Sequence, residues 1–579
     1  MEENMNQTTK RSSLPLLILF ISALALLIRA KYSFCWSDET FYASTTNRFL
    51  QGDFIFVHEW FPTQLVSLLI LPVQGLYKLI TGSNDGLILF LRCVYVLFSF
   101  LTSLIIYHLI CKDYQNFTAL CCAMFSLFYA HLNIATLSYY TLSVAFFLLS
   151  MLLICDFLRD QEHTKKSRLV FSGICFAAAV LSLPSLAVAY FGCCVILILL
   201  SVKQKALRPI FPYTLIGILI LAIPVLLYVL PTTGINGLIH NLTYVLSDEE
   251  HITSLVYPFK KFFLSVTDVY GRIPVALSVL FSFMALFLSI PSLKEKLPRI
   301  RTLLFYFNTI LFLVYFVKSL GHTGYISTAI CLFSLPLFFL TQKKNWHLFF
   351  LVFGGGLVFS MVYSYSSNGD LYIMALGHSI AAIAALCFLY DYRKEQPLQT
   401  TICLMITGIV LIQTMTLRFV NVYRDAPLSE LTECITEGPA KGLYTTKKHL
   451  ESYNGILSDI QNYCNTDGTV FITKLLPWGY LATEMPCGAP TTWRTTFDSK
   501  RLPLYYDEQT NRLPSVIYVL NEDAGSYETC GDVVADPTPN ANHLGGFLDS
   551  YTATNHFQTI KTPYGTIYQR TPVNEAPQK

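Results

Sequence analysis

Long apolar runs separated by short clusters of basic residues constrain this chain more than any other feature of its sequence. Runs such as Leu14–Ala30, Gly86–Ile110 and Thr401–Leu417 have about the length of a helix that crosses a bilayer. Charged residues make up only 13% of the chain, whereas soluble globular proteins carry roughly 25%. The sequence therefore predicts a polytopic membrane protein.

The basic clusters predict the topology, because Lys and Arg collect in short cytoplasmic loops. If all clusters lie inside, every interval between two of them crosses the membrane an even number of times. The run lengths then predict about 13 spans, with the N-terminus inside and the C-terminus outside. The clusters are Lys10/Arg11, Lys112, Arg159–Arg168, Lys203–Arg208, Lys294–Arg301, Lys343/Lys344 and Arg393/Lys394.

Several apolar intervals are too long for one helix and predict paired spans. Leu169–Val202, for example, is apolar over 34 residues and contains a proline near its middle. A single span needs only about 20 residues, so two short helices fit this interval better than one. The predicted turns within such pairs lie near Leu137–Ser138, Pro184, Gly321–His322 and Ser366–Asp370.

Two long outer loops remain in this topology, at residues 31–85 and 231–271. The first contains the apolar run Thr63–Ile80, which parity forbids from crossing together with Gly86–Ile110. Because Thr63–Ile80 also carries two glutamines and a lysine, we predict an interfacial helix that lies along the outer surface.

The composition becomes polar after residue 420. Helical spacing over Lys447–Tyr463, and short apolar runs at Thr469–Thr473 and Ser515–Leu520, predict a small α/β domain that ends near Asp523. Loop and tail are expected beyond it. The predicted fold is thus mainly α: a membrane helix bundle over residues 1–420 and a small extracytoplasmic α/β domain within 421–579.

Several classes of function lack their sequence signature. The net charge of +3 does not suggest a nucleic-acid partner. No DxD, GxGxxG or P-loop motif is present, and the predicted cytoplasmic loops are too short for a nucleotide-sugar domain. No Cys or His pair has metal-ligand spacing, and Asp248–His251 is more typical of a solvated acidic face. We predict no cofactor, and leave open divalent-metal dependence and disulfides among Cys434, Cys464, Cys487 and Cys530.

Adjacent carboxylates, Asp38 and Glu39, follow the first span by a few residues. A carboxylate near the low-dielectric face of a membrane has a raised pKa unless it is paired or hydrogen-bonded, and it is then a better proton acceptor. A solvated acidic loop, or a pair favoured by the dipole at a helix N-terminus, explains the same position without catalysis.

The surrounding pattern resembles the GT-C superfamily of integral-membrane glycosyltransferases, which includes protein O-mannosyltransferases and aminoarabinose transferases. The resemblance rests on the acidic pair, the aromatic Tyr42, and then Leu50, Gly52 and Asp53 in a Leu-x-Gly-Asp arrangement. The predicted surface helix, further spans and outer C-terminal domain extend it over most of the chain. The chain resembles uncharacterised bacterial members more than any named enzyme.

The resemblance implies transfer of a sugar from a polyprenyl-phosphate donor to a glycan, lipid or protein acceptor, usually with inversion. It further implies a multi-pass protein of the cell membrane with an extracytoplasmic site. Asp38 would be the general base, and Glu39 would position the acceptor or share that role. The leaving phosphate needs cations at the membrane surface, and the candidates at outer span ends are Arg92, Lys318 and Arg272. Substrate contacts are expected from Tyr42, His58 and Glu59.

A membrane transporter or lipid flippase is the alternative from another class. Transporters place ionisable residues deep within spans and use broken midplane helices. Here ionisable residues within the runs are few and the acids concentrate in outer loops, which favours surface chemistry. A structural or sensory protein with an outer binding domain is a third alternative, against which the Asp38–Glu39 pair stands.

Overall fold

The computed structural model describes residues 13–160, 165–246, 256–342, 344–367, 369–392, 397–473, 476–493, 501–521 and 546–571. Most of these residues are helical. The α-helices, in chain order, are α1 Leu14–Arg29, α2 Asp38–Leu50, α3 Ser67–Thr81, α4 Leu87–Ile110, α5 Asn116–Phe128, α6 Tyr139–Arg159, α7 Ser167–Ser182, α8 Leu186–Lys203, α9 Ile210–Leu246, α10 Tyr257–Tyr270, α11 Arg272–Phe287, α12 Pro291–Lys296, α13 Pro298–Ser319, α14 Tyr325–Leu340, α15 Gly354–Ser366, α16 Leu371–Tyr392, α17 Pro397–Val420, α18 Lys447–Tyr463, α19 Arg501–Glu508 and α20 Gly546–Thr554.

Eight helices within the described ranges are long and apolar enough to cross a membrane. A ninth is added if α10 and α11, which meet at a bend of 111°, form one broken span. Helices α1, α5, α7, α8 and α14 are apolar but shorter. A helix therefore occupies each predicted span, while the total of about 13 crossings stays a prediction.

Residues Gln64–Thr81, predicted as an interfacial helix, form a short 3₁₀ turn followed by α3. These residues are also long and apolar enough to cross a membrane. Helix α3 packs against α2, and the buried side chain of Gln74 donates a hydrogen bond to the Ala43 carbonyl (2.9 Å). This contact ties α3 to the helix that begins with the acidic pair.

The predicted turns separate helices as expected. Ser138 caps α6 with a capping box in which its side chain accepts from the Thr141 backbone. The chain also breaks at Pro184 between α7 and α8, and at Gly321–His322 between α13 and α14. Gly324 has φ of 92°, a left-handed conformation that glycine adopts without a steric penalty.

The segment 231–271, predicted as a long outer loop, contains more helix than expected. Helix α9 continues through Pro231 to Leu246, with a break at Gly234 where φ is 71°, and α10 follows from Tyr257. The apolar run therefore does not end at Pro231. The acidic cluster Asp248–His251 lies outside the described residues.

Helix α16 lies at the centre of the bundle, because 94% of the residues in its apolar stretch are buried. It crosses α15 with backbone in close contact. A Cβ atom added at Gly377 would lie 2.3 Å from the Gly356 carbonyl oxygen. Only glycine permits this approach, so Gly356 and Gly377 allow the backbones of α15 and α16 to come into contact.

The described residues after 420, here called the C-terminal part, contain a four-stranded sheet of order β3-β4-β6-β5. Strands β3 and β4 are parallel and the other pairs are antiparallel. A separate two-stranded sheet pairs β1 with β2. The strands are β1 Glu433–Cys434, β2 Tyr444–Thr445, β3 Val470–Ile472, β4 Val516–Leu520, β5 Phe557–Lys561 and β6 Gly565–Arg570.

Helix α18 has the predicted bounds, and β3 and β4 lie within the predicted strands. The prediction that only loop and tail follow Asp523 is wrong, since α20, β5 and β6 complete the sheet. Strand β5 is largely solvent-facing, so it lacks the apolar run from which β3 and β4 were predicted. Of the cysteines in this part, Cys434, Cys464 and Cys487 are free thiols, and Cys530 lies outside the described residues.

The C-terminal part packs onto the segment between α1 and α4. Tyr32 forms a β-bridge with Tyr444, and the Asn84 amide donates to the Leu481 carbonyl (3.0 Å). A third contact joins the Arg512 guanidinium to the Asp53 carboxylate (2.6 Å). These contacts join the C-terminal part to several points along the segment that contains the acidic pair.

Candidate functional site

The acidic pair forms the first turn of α2, and both side chains are buried. Carboxylates are favoured there because the N-terminus of a helix carries a partial positive charge. Asp38 and Glu39 nevertheless have different partners. This difference divides the site into two sides, one around each carboxylate.

Glu39 is bound by Arg92. The guanidinium Nη2 donates to Glu39 Oε2 (2.6 Å), and Nε donates to the other oxygen. Arg92 Nη1 also donates to the carbonyls of Ala30 (2.7 Å) and Tyr32 (3.2 Å). Arg92 therefore joins α4 to α2 and to the end of α1, and most of its N–H groups are already bonded.

Asp38 is held by two residues that follow the last membrane helix. The Tyr423 hydroxyl donates to Asp38 Oδ2 (2.9 Å), and Arg424 Nη1 lies 2.7 Å from the same oxygen. Burial, and then the negative charge of Asp38, raise the pKa of Tyr423 well above its usual value. The Tyr423 hydroxyl thus stays protonated and remains a donor.

Three arginines line a cavity beside Glu39. This arginine cavity is formed by Arg29, Arg92 and Arg418, together with Glu39 and Asn133. Arg29 Nη2 donates to the Asn421 carbonyl (2.8 Å), and Arg418 donates to the Asn133 side chain. With one carboxylate against three guanidinium groups, the cavity has an excess of positive charge.

Arg418 has a buried guanidinium nitrogen that makes no hydrogen bond to any described residue. It is 5% exposed, and its buried Nε atom has no partner within the part of the chain that the structure describes. Its guanidinium also lies over the Tyr95 ring, 5.8 Å from the centroid. An unpaired N–H in a buried cationic cavity is suited to bind an anion, since leaving it unpaired costs free energy.

A cluster of tyrosines lies beside Asp38. It consists of Tyr42, Tyr139, Tyr140 and Tyr363, with ring centroids between 4.0 and 6.4 Å apart. Burial, followed by the proximity of Tyr139, Tyr140 and Asp38, raises the pKa of Tyr42 well above its usual value. Tyr42, predicted as a substrate contact, thus lies close to the acidic pair.

A second cavity lies next to this tyrosine cluster. Its lining includes Tyr140, Tyr95 and His131, and no Asp, Glu, Lys or Arg. Burial lowers the pKa of His131 to about 3, so its imidazole is neutral. Its Nε2 is buried and has no partner among the described residues. Leu132 (φ 47°) and Asn133 (φ 60°) are left-handed, which places His131 and Asn133 in different cavities.

His58 and Glu59 do not lie at this site. Glu59 is fully buried and accepts from Arg48 Nη1 (2.9 Å), while Arg48 Nε binds Asp53 (2.7 Å). Burial raises the pKa of Glu59, and Arg48 opposes that rise. The Glu59 side chain is therefore enclosed and held in an ion pair with Arg48, while the substrate contacts expected at His58 and Glu59 stay a prediction.

Lys318 and Arg272, predicted to bind the donor phosphate, are exposed at the end of α13 and the start of α11. Neither lines the arginine cavity. Within the described ranges they form no ion pair. Their position fits side chains that extend toward lipid headgroups. Among the described residues, no group of three or more His, Cys, Asp and Glu is suited to hold a metal ion.

Sequence reasoning missed Arg29, Asn133 and the pair Tyr423–Arg424. Arg29 ends an apolar run, where a charged residue is ordinarily read as a snorkelling side chain. Tyr423 and Arg424 follow the last span directly and resemble any polar flank. The weak signal for each was its position beside a predicted outer membrane boundary.

Comparison with known proteins agrees with the resemblance. The model of the Alg9-like mannosyltransferase family matches residues 10–233, which include the acidic pair, Arg29, Arg92 and the tyrosines at 139 and 140. That family lies within the GT-C superfamily, so the match confirms the predicted resemblance to this class of multi-pass membrane glycosyltransferases. Among curated proteins, none matches the chain.

Three solved structures are similar at low identity. The archaeal oligosaccharyltransferase AglB from Archaeoglobus fulgidus, in complex with an inhibitory peptide and a dolichol-phosphate, has a TM-score of 0.49 at 11% identity, over 97% of this chain and 75% of that one. The Archaeoglobus fulgidus oligosaccharyltransferase tethered to an acceptor peptide scores 0.45 at 12% identity (88% and 69%). Its apo form scores 0.41 at 12% identity (88% and 70%).

Proposed function

We propose that this chain transfers a hexosyl or pentosyl group from a polyprenyl-phosphate donor to a glycan, lipid or protein acceptor. The observation that carries the proposal is the position of the acidic pair, which lies between the arginine cavity and the tyrosine cluster. A cationic cavity, a carboxylate and aromatic surfaces are the three elements that such a transfer requires.

The arginine cavity is the proposed site of the donor phosphate. The leaving group gains negative charge as the bond to the sugar breaks, and fixed cations nearby stabilise that charge. Arg29 and Arg418 take the role that the sequence gave to Lys318 and Arg272. Arg92 contributes charge from the cavity wall, while its hydrogen bonds hold Glu39.

Asp38 is the proposed general base. The acceptor hydroxyl gives its proton to Asp38 as its oxygen forms a bond to the anomeric carbon. The bond from that carbon to the phosphate oxygen breaks, and its electron pair leaves with the phosphate. Attack opposite to the leaving group inverts the anomeric centre. Glu39 acts in this proposal through Arg92, by fixing the wall of the phosphate cavity.

Tyr42 and the other tyrosines of the cluster are the proposed surface for a sugar ring, because aromatic faces pack against the apolar faces of sugars. The proposed placement is the outer side of a cell membrane, with residues 1–420 as the membrane domain and 421–579 as the outer domain. No cofactor is part of the proposal, and activity with and without EDTA tests for a divalent ion.

The test is transfer of radiolabelled sugar from a panel of polyprenyl-phosphate sugars by the purified protein and by Asp38→Asn. Turnover by the wild type and its loss in the variant are expected. Absence of turnover with every donor, together with movement of lipid across vesicles, would instead support a transporter or flippase.

A second pair of variants tests the phosphate site. Arg418→Gln removes a buried cation with an unused donor, and we expect the KM for the donor to rise about 10- to 100-fold, the value of a charged hydrogen bond. Lys318→Gln is the matched control, because it removes an exposed cation from another outer span end. A larger rise of the donor KM in Lys318→Gln than in Arg418→Gln would indicate that the phosphate binds at Lys318, as the sequence predicts.

A further inference from the structure

A short segment between the last membrane helix and the C-terminal part contacts both sides of the site. This junction segment, Asn421–Asp425, follows the last residue of α17. Its first residue accepts a hydrogen bond from Arg29, and Tyr423 and Arg424 bind Asp38. The segment therefore contacts the arginine cavity and the proposed base with residues that are almost adjacent in sequence.

We propose that Tyr423 and Arg424 are positioning residues that act on the reaction through Asp38. This inference rests on the proposed function, and assigns to the C-terminal part a role in catalysis through the junction segment. The family comparison ends at residue 233, so the junction segment lies outside the region that the family model describes.

The geometry at Asp38 supports the proposal. Both Tyr423 and Arg424 contact the same carboxylate oxygen, Oδ2. Within the described part of the chain, the other oxygen, Oδ1, has no hydrogen-bond partner. Ser37 Oγ also donates to Oδ2, at 3.5 Å. Donors that share one oxygen fix the rotation of the carboxylate, and leave Oδ1 to accept the proton of an acceptor hydroxyl.

Arg424 also holds the residue before Asp38. Its Nη1 donates to Ser37 Oγ (2.6 Å), so one nitrogen contacts Ser37 and Asp38 together. The guanidinium lies over the Tyr423 ring, with its carbon 5.1 Å from the centroid. Because Arg424 and Asp38 are only 13% and 12% exposed, this pair is screened less by water than an ion pair on the surface.

Arg424 adopts a left-handed backbone, with φ of 51°, which is unfavourable for a residue with a Cβ atom. Asp425 holds the chain in this conformation. Its fully buried carboxylate accepts from the Phe34 backbone (2.7 Å) and contacts His449 Nδ1 (2.7 Å). The strained residue thus lies between an anchor in the C-terminal part and the proposed base, as is common where strain serves function.

The experiment measures kcat and the KM for the donor in the full-length protein with Tyr423→Phe, Arg424→Gln and Arg424→Lys. Tyr423→Phe removes only a hydroxyl and keeps the ring beneath Arg424, so it tests the proposal even if Arg424→Gln does not fold. We expect kcat to fall about 10- to 100-fold, which is part of the roughly 10²- to 10⁴-fold that a correctly placed general base contributes. The donor KM should change less than about threefold, since neither residue is proposed to hold the phosphate.

Arg424→Lys should recover part of kcat, because a single Arg424 nitrogen makes both contacts and an ammonium group can replace it. The decisive readout is the double variant with Asp38→Asn. A residue that acts through Asp38 has no further effect once that carboxylate is gone. Tyr568→Phe and Arg570→Gln on β6 are the matched controls, and we expect both to keep wild-type kcat.

Two outcomes overturn the proposal. The first is a wild-type kcat in Tyr423→Phe and Arg424→Gln while Asp38→Asn is inactive, which leaves the proposed function intact. The second is a further loss of transfer when Tyr423→Phe is added to Asp38→Asn. Failure of the wild type to turn over any donor overturns the proposed function and this inference together.

Discussion

Arg92 offers the sharpest test of how the site is built, because the sequence predicts a phosphate ligand and the structure shows a buried ion pair. The side chains of Arg92 and Glu39 are 4% and 3% exposed. Arg92 makes two hydrogen bonds to Glu39 and two to backbone carbonyls. Arg92→Gln would remove the charge and most of these bonds, and leave the Glu39 carboxylate buried without a cation.

The expected cost follows from that geometry. Removing one partner of a buried ion pair costs about 3–5 kcal/mol, because the remaining charge is neither solvated nor paired. This corresponds to roughly two to three and a half powers of ten in the unfolding equilibrium. The double variant Glu39→Gln/Arg92→Gln should recover part of the loss, because no charge is then left buried.

The assay is denaturant-induced unfolding of the purified protein in mixed micelles, followed by tryptophan fluorescence. Trp36 is buried close to the pair in sequence and is a suitable reporter. Lys318→Gln is again the control, and we expect its free energy of unfolding to stay within about 0.5 kcal/mol of wild type. The reasoning is refuted if Arg92→Gln unfolds like wild type while its donor KM rises more than tenfold. That result would make Arg92 a phosphate ligand, as the sequence predicts.

Three further predictions concern stability. Burial lowers the pKa of His58 from 6.5 to about 4, so its contribution to stability is complete above pH 6.5 and is lost as the pH falls toward 4; unfolding midpoints across that range should depend less on pH in His58→Gln. Arg48→Met leaves the carboxylate of Glu59 buried without its cation. It should lower the free energy of unfolding by about 3–5 kcal/mol, measured by the same denaturant-induced unfolding. Gly377→Ala forces a Cβ into a neighbouring backbone and should cost about 1–3 kcal/mol; Gly408→Ala, whose Cβ would meet nothing within 4 Å, should be neutral or stabilising, and equal losses in both would contradict the packing argument.

The helices and most of the turns were predictable because their causes are local. An apolar run of sufficient length forms a helix in a membrane whatever its neighbours are. Ser138 and Pro184 end or begin helices through their own backbone chemistry. The position of the acidic pair just beyond the first span is likewise visible in the sequence alone, and the GT-C resemblance depended on it.

Elements whose stability comes from partners distant in sequence were not predictable in this way. Strands β5 and β6 pair with each other and with β4, and β5 has a mostly polar surface that resembles a loop. The same cause explains why the segment 231–271, predicted as a loop, contains more helix than expected, since α9 continues past two prolines. Local composition is a weak guide where tertiary packing compensates for it.

The features of the site also divide into those with local causes and those that depend on contacts between distant parts of the chain. The sequence by itself determined the membrane class and the acidic pair, and the resemblance to GT-C enzymes predicted cations near that pair. Only the tertiary structure decided which cations those are, because Arg29 contacts residues about 390 positions away, and Arg92 is already bound to Glu39. It also decided that Glu59 is enclosed and that Tyr423 and Arg424 reach Asp38. Ion pairs and hydrogen bonds form between groups that folding brings together, and no local pattern records their distance along the chain.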